Sequence, residues 1–175
     1  VYLRASQGDA VSLTMLKAKT KVAPLKSLTV PRLELCGTLL LARIIESLHR
    51  LRQTLTIQEV FCFTDSTIVL AWLKTPTYLL QTFAANRVQQ VLDITDLHSW
   101  HHVRGSDNPA DVGSRGLSPS ALQSNALWWS GPAWCHEPID TWPISTDTSQ
   151  VHVPEMKHNV LSLITVKNST NFLNF

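Results

Sequence analysis

The chain has 175 residues, of which 44% are hydrophobic and 16% charged, so it is long enough for one globular domain with a short appended tail. Its three cysteines are widely spaced and form no CxxC pair, which argues against a disulfide framework and a zinc ribbon. The opening VYLRASQGDA lacks a signal-peptide pattern, and charged residues interrupt the apolar stretch 33–51. We therefore expect a soluble, cytoplasmic protein with no membrane partner.

Basic residues are concentrated in the first third of the chain, although the formal net charge is only +2. The acids in that third are Asp9, Glu34 and Glu46. The asymmetry suits a polyanionic partner, while a solvated basic face is the simpler interpretation of the charges alone. The basic residues are Arg4, Lys17, Lys19, Lys21, Lys26, Arg32, Arg43, Arg50 and Arg52.

The N-terminal third predicts a hairpin followed by a helix. Residues 1–4 and 11–22 are strand-like and flank SQGD, so Gly8 and Asp9 are expected in a β-turn. Thr29-Val-Pro31 then begins a helix whose apolar residues recur at helical spacing as far as Leu51. Because the chain starts without Met and inside a strand, we interpret it as a fragment of a longer protein.

Strands and helices alternate in the middle of the chain. The patterns predict a strand at 59–63, helices at 66–74 and 80–92, and a strand at 98–104. Asn108-Pro109 and Ser118-Pro119 each begin a further helix, the first ending by Gly116 and the second running toward Trp129. Prolines after Gly131 and the polar stretch 145–150 predict a linker. The fold class is a mixed α/β sheet domain.

Three acids lie where predicted elements begin or end. Asp65 follows a buried strand, where it is either an N-cap or a ligand-binding group. Glu34 and Asp111 are expected in the first turns of their helices, where the helix dipole stabilises an anion without any function. Together they suggest one rim of a sheet, where clustered carboxylates need a cation to offset their repulsion.

Several separate motifs resemble one family. VPRLELCGTLLLARI, FTDSTIVLAWL, FAANRVQQV, WHHVRGSDNPADVGSRGL and LWWSGPAW, in this order, closely resemble the ribonuclease H-like segment of BEL/Pao long-terminal-repeat retrotransposon polyproteins. The resemblance covers residues 1–143. Residues 144–175 resemble the connector that leads toward the integrase region.

The resemblance implies a ribonuclease H-like mixed sheet of five strands with flanking helices. It implies an active site in which four carboxylates hold two divalent ions, Mg²⁺ or Mn²⁺, to cut the RNA strand of an RNA–DNA hybrid. By motif, Glu34, Asp65 and Asp111 match three of these catalytic and metal-binding acids. In the family the fourth acid lies on the first strand, upstream of the strand that VYLR resembles, so the resemblance implies that it falls before Val1. Neither Asp9 nor Asp107 matches it.

Nucleic-acid contacts are expected at Ser66, Asn86 and Arg87, and at the basic run Lys17, Lys19 and Lys21. For Ser66, capping of the following helix is the favoured alternative. The resemblance also implies reverse transcriptase and integrase regions in the same polyprotein, and a location in retroelement particles.

Two other classes of function compete with the enzyme. One is a truncated, inactive retrotransposon remnant that serves only as a connection or a nucleic-acid-binding module. The other is a zinc module built from Cys135, His136, His152 and His158, whose irregular spacing gives it little support. Trp128, Trp129 and Trp134 are expected to pack as core residues rather than to stack on bases.

Overall fold

A computed structural model of the chain describes residues 1–8 and 10–157. Strands β1 (Tyr2–Gln7) and β2 (Ala10–Met15) form an antiparallel hairpin in which Tyr2 pairs with Met15 and Gln7 with Ala10. Gly8, with φ at +60°, allows the tight turn. The predicted hairpin is confirmed, but its second strand ends at Met15 rather than Val22. Asp9, which the sequence places in the turn, lies outside the described residues.

The long apolar stretch forms two consecutive helices, α1 (Val30–Ser47) and α2 (His49–Thr54), instead of one. Pro31 lies in the first turn of α1, as expected. The helix ends at Leu48, whose backbone N–H donates to Ile45 and Glu46 carbonyls. One face of α1 is buried through Leu35, Thr38, Leu39, Ala42, Ile44 and Ile45.

The next part of the chain supplies a parallel strand pair. Strand β3 (Cys62–Thr64) leads into α3 (Thr67–Lys74), and a 3₁₀ turn at Thr77–Leu79 precedes α4 (Thr82–Leu92). A 3₁₀ turn at Leu97–Ser99 then leads into β4 (Trp100–His102). Strands β3 and β4 are parallel, with Cys62 opposite Trp100 and Thr64 opposite His102.

The mixed α/β class is confirmed, whereas the described residues form two separate two-stranded sheets and not the expected five-stranded one. Side chains connect the two sheets. Arg4 of β1 donates from Nε to the Cys135 carbonyl, and its guanidinium lies 5.9 Å from the centre of the Trp142 ring. The Trp142 ring in turn contacts Phe61, just before β3, at 5.0 Å between centroids.

The main core lies between α1, α3, α4 and the β3–β4 pair. Trp72 and Trp100 are its largest fully buried side chains. Trp100 Nε1 donates to Thr95 Oγ1, so its polar atom is satisfied inside the core. Burying such rings removes a large apolar area from water and holds the helices against the strand pair.

The remaining elements are short. Helices α5 (Ala110–Arg115), α6 (Pro119–Gln123) and α7 (Ala126–Ser130) follow a 3₁₀ turn at Gly105–Asp107. Gly116, with φ at +76°, ends α5 as predicted, whereas the helix expected from Ser118 toward Trp129 is divided into α6 and α7. Two 3₁₀ turns, Ala133–His136 and Ile139–Thr141, complete this region. Within the described ranges, no helix has the length and hydrophobicity to cross a membrane.

Residues 151–157, which we call the C-terminal strap, pack against the helices. The Gln81 N–H donates to the Glu155 carbonyl and the Lys157 N–H to the Leu79 carbonyl, both at 2.7 Å. Trp72 Nε1 donates to the Pro154 carbonyl. The packed part of the chain thus extends past residue 143, while residues 158–175 of the expected connector lie outside the described residues. The division into a domain and a connector stays a prediction.

Aromatic side chains cover one face of the β3–β4 pair, the face away from the buried Trp100 side chain. Phe63 and His101 have ring centroids 6.0 Å apart, and Phe61 lies 5.7 Å from His101. Trp134 meets Phe63 edge-on at 5.5 Å. Burial among these rings lowers the pKa of His101.

We expect His101 to make the stability of the fold fall at acid pH. Its lowered pKa means that the unfolded chain binds the proton more readily, so this contribution is complete above about pH 6.5 and declines as pH falls toward the folded-state pKa. His101→Phe keeps an aromatic ring and should flatten the fall in unfolding free energy between pH 7 and 5. The exposed control His98→Phe should leave it unchanged. Equal curves for the parent and His101→Phe would contradict the burial argument.

Candidate metal centre

The junction between β3 and α3 is fixed by two hydroxyl groups. Thr64 Oγ1 accepts the Ser66 backbone N–H, and Ser66 Oγ accepts the Val69 N–H, both at 3.2 Å. Ser66 is therefore the N-cap of α3, which confirms the favoured interpretation of this residue. Only 5% of Ser66 is exposed, so little of it remains available to a phosphate. Because Ser66 provides the cap, capping does not explain Asp65.

Asp65 and Asp111 approach each other across Gly105. A Cβ atom added to Gly105 would lie 3.4 Å from Asp65 Oδ2 and 3.9 Å from Asp111 Oδ2, so these oxygens are at most 7.3 Å apart, the sum of the two distances. Asp65 is half-buried, and its carboxylate has no hydrogen bond or ion pair with any described residue. The glycine leaves the space between the two acids open.

Asp111 lies in the first turn of α5, where the helix dipole stabilises its charge as expected. Its Oδ2 also accepts a hydrogen bond from Arg115 Nη2 at 3.0 Å. Arg115 is 80% exposed, and such a surface pair contributes little stability. A divalent ion can therefore compete with Arg115 for this carboxylate at small cost.

Glu34 does not lie in the first turn of its helix, contrary to the expectation. Helix α1 begins at Val30, so Glu34 falls in the second turn, where the dipole effect has decayed. The dipole thus does not account for this acid. Its backbone carbonyl accepts a hydrogen bond from Thr38 Oγ1. A Cβ atom added to Gly37, about one turn further along, would have no atom within 4 Å apart from the backbone of its own helix.

The structure brings two of the three predicted acids together. Across residues 1–8 and 10–157, no three His, Cys, Asp or Glu side chains form a group that could hold a metal ion. Glu34 therefore does not form a three-carboxylate group with Asp65 and Asp111. The two paired aspartates offer the hard oxygen donors that Mg²⁺ and Mn²⁺ prefer. A site for two ions held by all three acids stays a prediction.

Sequence reasoning missed the surroundings of this pair. A depression of about 230 Å³ lies beside Asp111 and includes Gly105. The RGSDNPAD motif contains the glycine, but only the fold shows that it separates the two acids. The polar residues that line the depression include Ser106, Asn108, Asp111, Arg115 and Asn125. Asp107, interpreted as a loop acid, pairs with Arg104 at 3.2 Å and stays outside.

Asn86 and Arg87, the predicted nucleic-acid-binding residues on α4, differ in how firmly their side chains are held. Asn86 is exposed, and its side chain has no hydrogen-bond partner within the described part of the chain. Arg87 donates from Nη1 to the Phe83 carbonyl, and its guanidinium carbon lies 3.6 Å from the centre of the Phe83 ring. Arg87 is thus held in place by its own helix, with part of its side chain open to solvent.

The basic run Lys17, Lys19 and Lys21 is exposed along the irregular connection between β2 and α1. Lys17 Nζ donates to Ser47 Oγ at 2.8 Å. The Thr20 methyl group comes within 3.0 Å of a Cβ added to Gly113, so the connection passes against α5. Between Lys19 and Lys21, the connection therefore runs along the helix that carries Asp111.

Two of the three tryptophans pack as expected. Trp134 packs edge-on against Phe63 and Trp142, and Trp128 contacts the open side of Gly113. Trp129 is 49% exposed and lies outside the core.

A zinc module at the predicted residues gains no support from the structure. Burial raises the pKa of the Cys135 thiol to about 12, which disfavours the thiolate that zinc requires. His158 lies outside the described residues.

Asp65 and Ser66 are neighbours with opposite expected roles in stability. Ser66→Ala removes a buried cap and should lower the free energy of unfolding by about 1 kcal/mol. Asp65→Asn should leave it unchanged or slightly raised, because the substitution relieves repulsion with Asp111. Urea denaturation at neutral pH without divalent ions measures both. A larger loss for Asp65→Asn than for Ser66→Ala would show that the carboxylate is structural.

Comparison with known proteins gives one match. No curated protein and no solved structure matches the chain. Residues 1–66 match the family model described as Pao retrotransposon-like RNaseH-like domain. The matched part contains Glu34 and Asp65 and ends before Asp111. The matched part spans the hairpin, α1, α2 and β3. The match over these residues supports a Pao-type RNase H-like domain.

Proposed function

We propose that this chain is the ribonuclease H segment of a Pao-type retrotransposon polyprotein and that it hydrolyses the RNA strand of RNA–DNA hybrids during reverse transcription. The observation that carries the proposal is the approach of Asp65 to Asp111 across Gly105. A half-buried carboxylate that no described residue pairs, at the carboxyl end of a buried strand, is costly unless a cation joins it. The family match over residues 1–66 supports the same activity.

In this proposal Asp65 and Asp111 hold divalent metal, and Glu34 contributes from the neighbouring helix. Bound divalent ions supply the activation of water and the neutralisation of charge that phosphodiester hydrolysis requires. The residues of the chain position that charge. The Ser66 cap and the Thr64 hydroxyl fix the direction of Asp65, and Gly105 keeps the space between the aspartates free of side chains.

Nucleic acid would approach from the side that carries the basic run. Thr20, between Lys19 and Lys21, lies against Gly113 of α5, so phosphates bound by these two lysines would approach the helix that carries Asp111. Cations in such a run bind the backbone without reading base sequence. The polyanionic ligand thus explains the charge asymmetry of the N-terminal third.

Metal binding can be tested without activity. Mg²⁺ should raise the melting temperature of the chain, and Mn²⁺ should broaden NMR signals near residue 105, because ions bound to the folded state stabilise it. Asp65→Asn should remove both effects. The control Asp107→Asn, which changes a loop acid paired with Arg104, should retain them. If Mg²⁺ stabilises Asp65→Asn and Mn²⁺ broadens its signals as much as in the parent chain, the ion binds elsewhere.

Cleavage should depend on the same residue. The resemblance assigns a fourth carboxylate to the region upstream of Val1, so we expect weak Mg²⁺-dependent cleavage of a labelled RNA–DNA hybrid by residues 1–175. A longer chain with the upstream strand and its Asp should be far more active. Asp65→Asn should abolish that activity. Metal binding without cleavage by the longer chain would favour an inactive remnant, and activity in its Asp65→Asn variant would refute the site.

Hybrid binding should weaken steeply with salt, because phosphate contacts release counterions. Changing Lys17, Lys19 and Lys21 together to Gln should flatten the plot of log affinity against log salt, by about 0.7 to 0.9 for each phosphate that is no longer neutralised. The matched change of Arg43, Arg50 and Arg52 to Gln, on α1 and α2, should keep the slope. If the two triple variants have equal slopes, the basic run is only a solvated face.

A further inference from the structure

Two arginines from different helices share one aromatic ring. The guanidinium carbons of Arg32 on α1 and Arg87 on α4 lie over the Phe83 ring, 4.5 Å and 3.6 Å from its centre. They are therefore no more than 8.1 Å apart, the sum of the two distances. We call Arg32, Phe83 and Arg87 the arginine–phenylalanine cluster. The ring holds both guanidinium groups in place, so the two arginine side chains lose less conformational entropy when an anion binds.

The cluster already holds one anion, the carboxylate of Glu155 in the C-terminal strap. Arg32 Nε donates to Glu155 Oε1 at 2.6 Å and Arg32 Nη2 to Oε2 at 3.0 Å. This two-pronged arrangement is the one that a guanidinium also offers to two oxygens of a phosphate. The carboxylate thus occupies a position suited to a phosphodiester group.

One carboxylate does not balance two guanidinium groups. Arg87 has no acidic partner within the described residues, and its Nη1 donates to a backbone carbonyl. The side chains of Arg32 and Glu155 are 29% and 14% exposed, so solvent and ligands reach the pair. A dianionic segment with two phosphates would satisfy both arginines, which Glu155 alone does not.

Glu155 itself has an unfavourable backbone conformation. Its φ of +60° is left-handed, a region that Asn and Gly adopt with less strain. Its carbonyl is bonded to the Gln81 N–H, and the strap directs the side chain at Arg32. Strained residues of this kind concentrate at ligand clamps and switches. What Glu supplies at this position, and Asn or Gly would not, is a carboxylate long enough to bind Arg32.

We propose that the arginine–phenylalanine cluster is a binding site for the phosphodiester backbone of nucleic acid and that Glu155 occupies it until the nucleic acid displaces the carboxylate. The inference rests on the proposed function for the identity of the ligand. Arg32 and Glu34 are two residues apart on α1 and so face opposite sides of the helix. The cluster thus lies on the side of α1 away from Glu34, the acid that this helix contributes in the proposed function.

The test measures binding of a fluorescent RNA–DNA hybrid by anisotropy, in EDTA and over a range of salt concentrations. Glu155→Gln keeps the shape and removes the competing charge, so we expect at least threefold tighter binding and a salt slope steeper by about one phosphate contact. Glu155→Asn, which tolerates the left-handed backbone, should show the same gain if the Gln variant is poorly folded. Adding Arg32→Gln to either variant should remove the gain.

Three results would overturn this inference: no gain in folded Glu155→Gln or Glu155→Asn, a gain that persists without Arg32, or a polyglutamate peptide that binds as tightly as the hybrid. The last would mean that the cluster takes acidic peptides. Because binding is measured without metal, the outcome is independent of the cleavage tests. A gain in affinity with no cleavage by the longer chain would leave the cluster standing and remove only the proposed hydrolysis.

Discussion

The turn from β3 into α3 is the constraint on which the candidate site depends. Thr64 and Ser66 are both buried, and their hydroxyls are used by the backbone of the turn. Since successive side chains of an extended strand point to opposite sides, burying residues 64 and 66 directs Asp65 outward. The strand pair holds the same end from the other side, because the Val103 N–H donates to the Thr64 carbonyl. The position of the acid is thus set by packing and backbone hydrogen bonds, and no residue in the described ranges bonds to its carboxylate oxygens.

Local signals in the sequence predicted local structure well. The cap at Ser66, the glycine end of α5 and the hairpin around Gly8 depend on neighbouring residues and could be predicted. The positions of Asp65 and Asp111 at the ends of elements suggested one rim of a sheet, and the family resemblance supported it. The contact across Gly105 could not be predicted, because it depends on how two distant turns meet. The dipole argument for Glu34 was wrong because it needed the first residue of α1 to within a turn, which periodicity does not give.

Longer-range pairing was harder to predict. Hydrophobic alternation predicted strands but not their partners, because the backbone bonds of a sheet leave no mark on composition. Arg4, Trp134 and Trp142 fill the space between the hairpin and the β3–β4 pair, and the contacts of Arg4 join residues more than a hundred positions apart. The polar stretch 145–150 has the composition of a linker, yet the Ser145 backbone pairs with His102.

The C-terminal strap shows why composition alone ended the packed region too early, at residue 143. Residues 151–157 have no helical or strand period, and backbone groups attach them to Gln81, Leu79 and Trp72. Glu155 of the strap binds Arg32, which lies on the same helix as Glu34. Helix α1 thus places a cation and an acid on opposite sides within one turn. Under the proposed function, a polyanion would meet attraction at the side of α1 that carries Arg32 and repulsion at the side that carries Glu34, unless a divalent ion neutralised that acid.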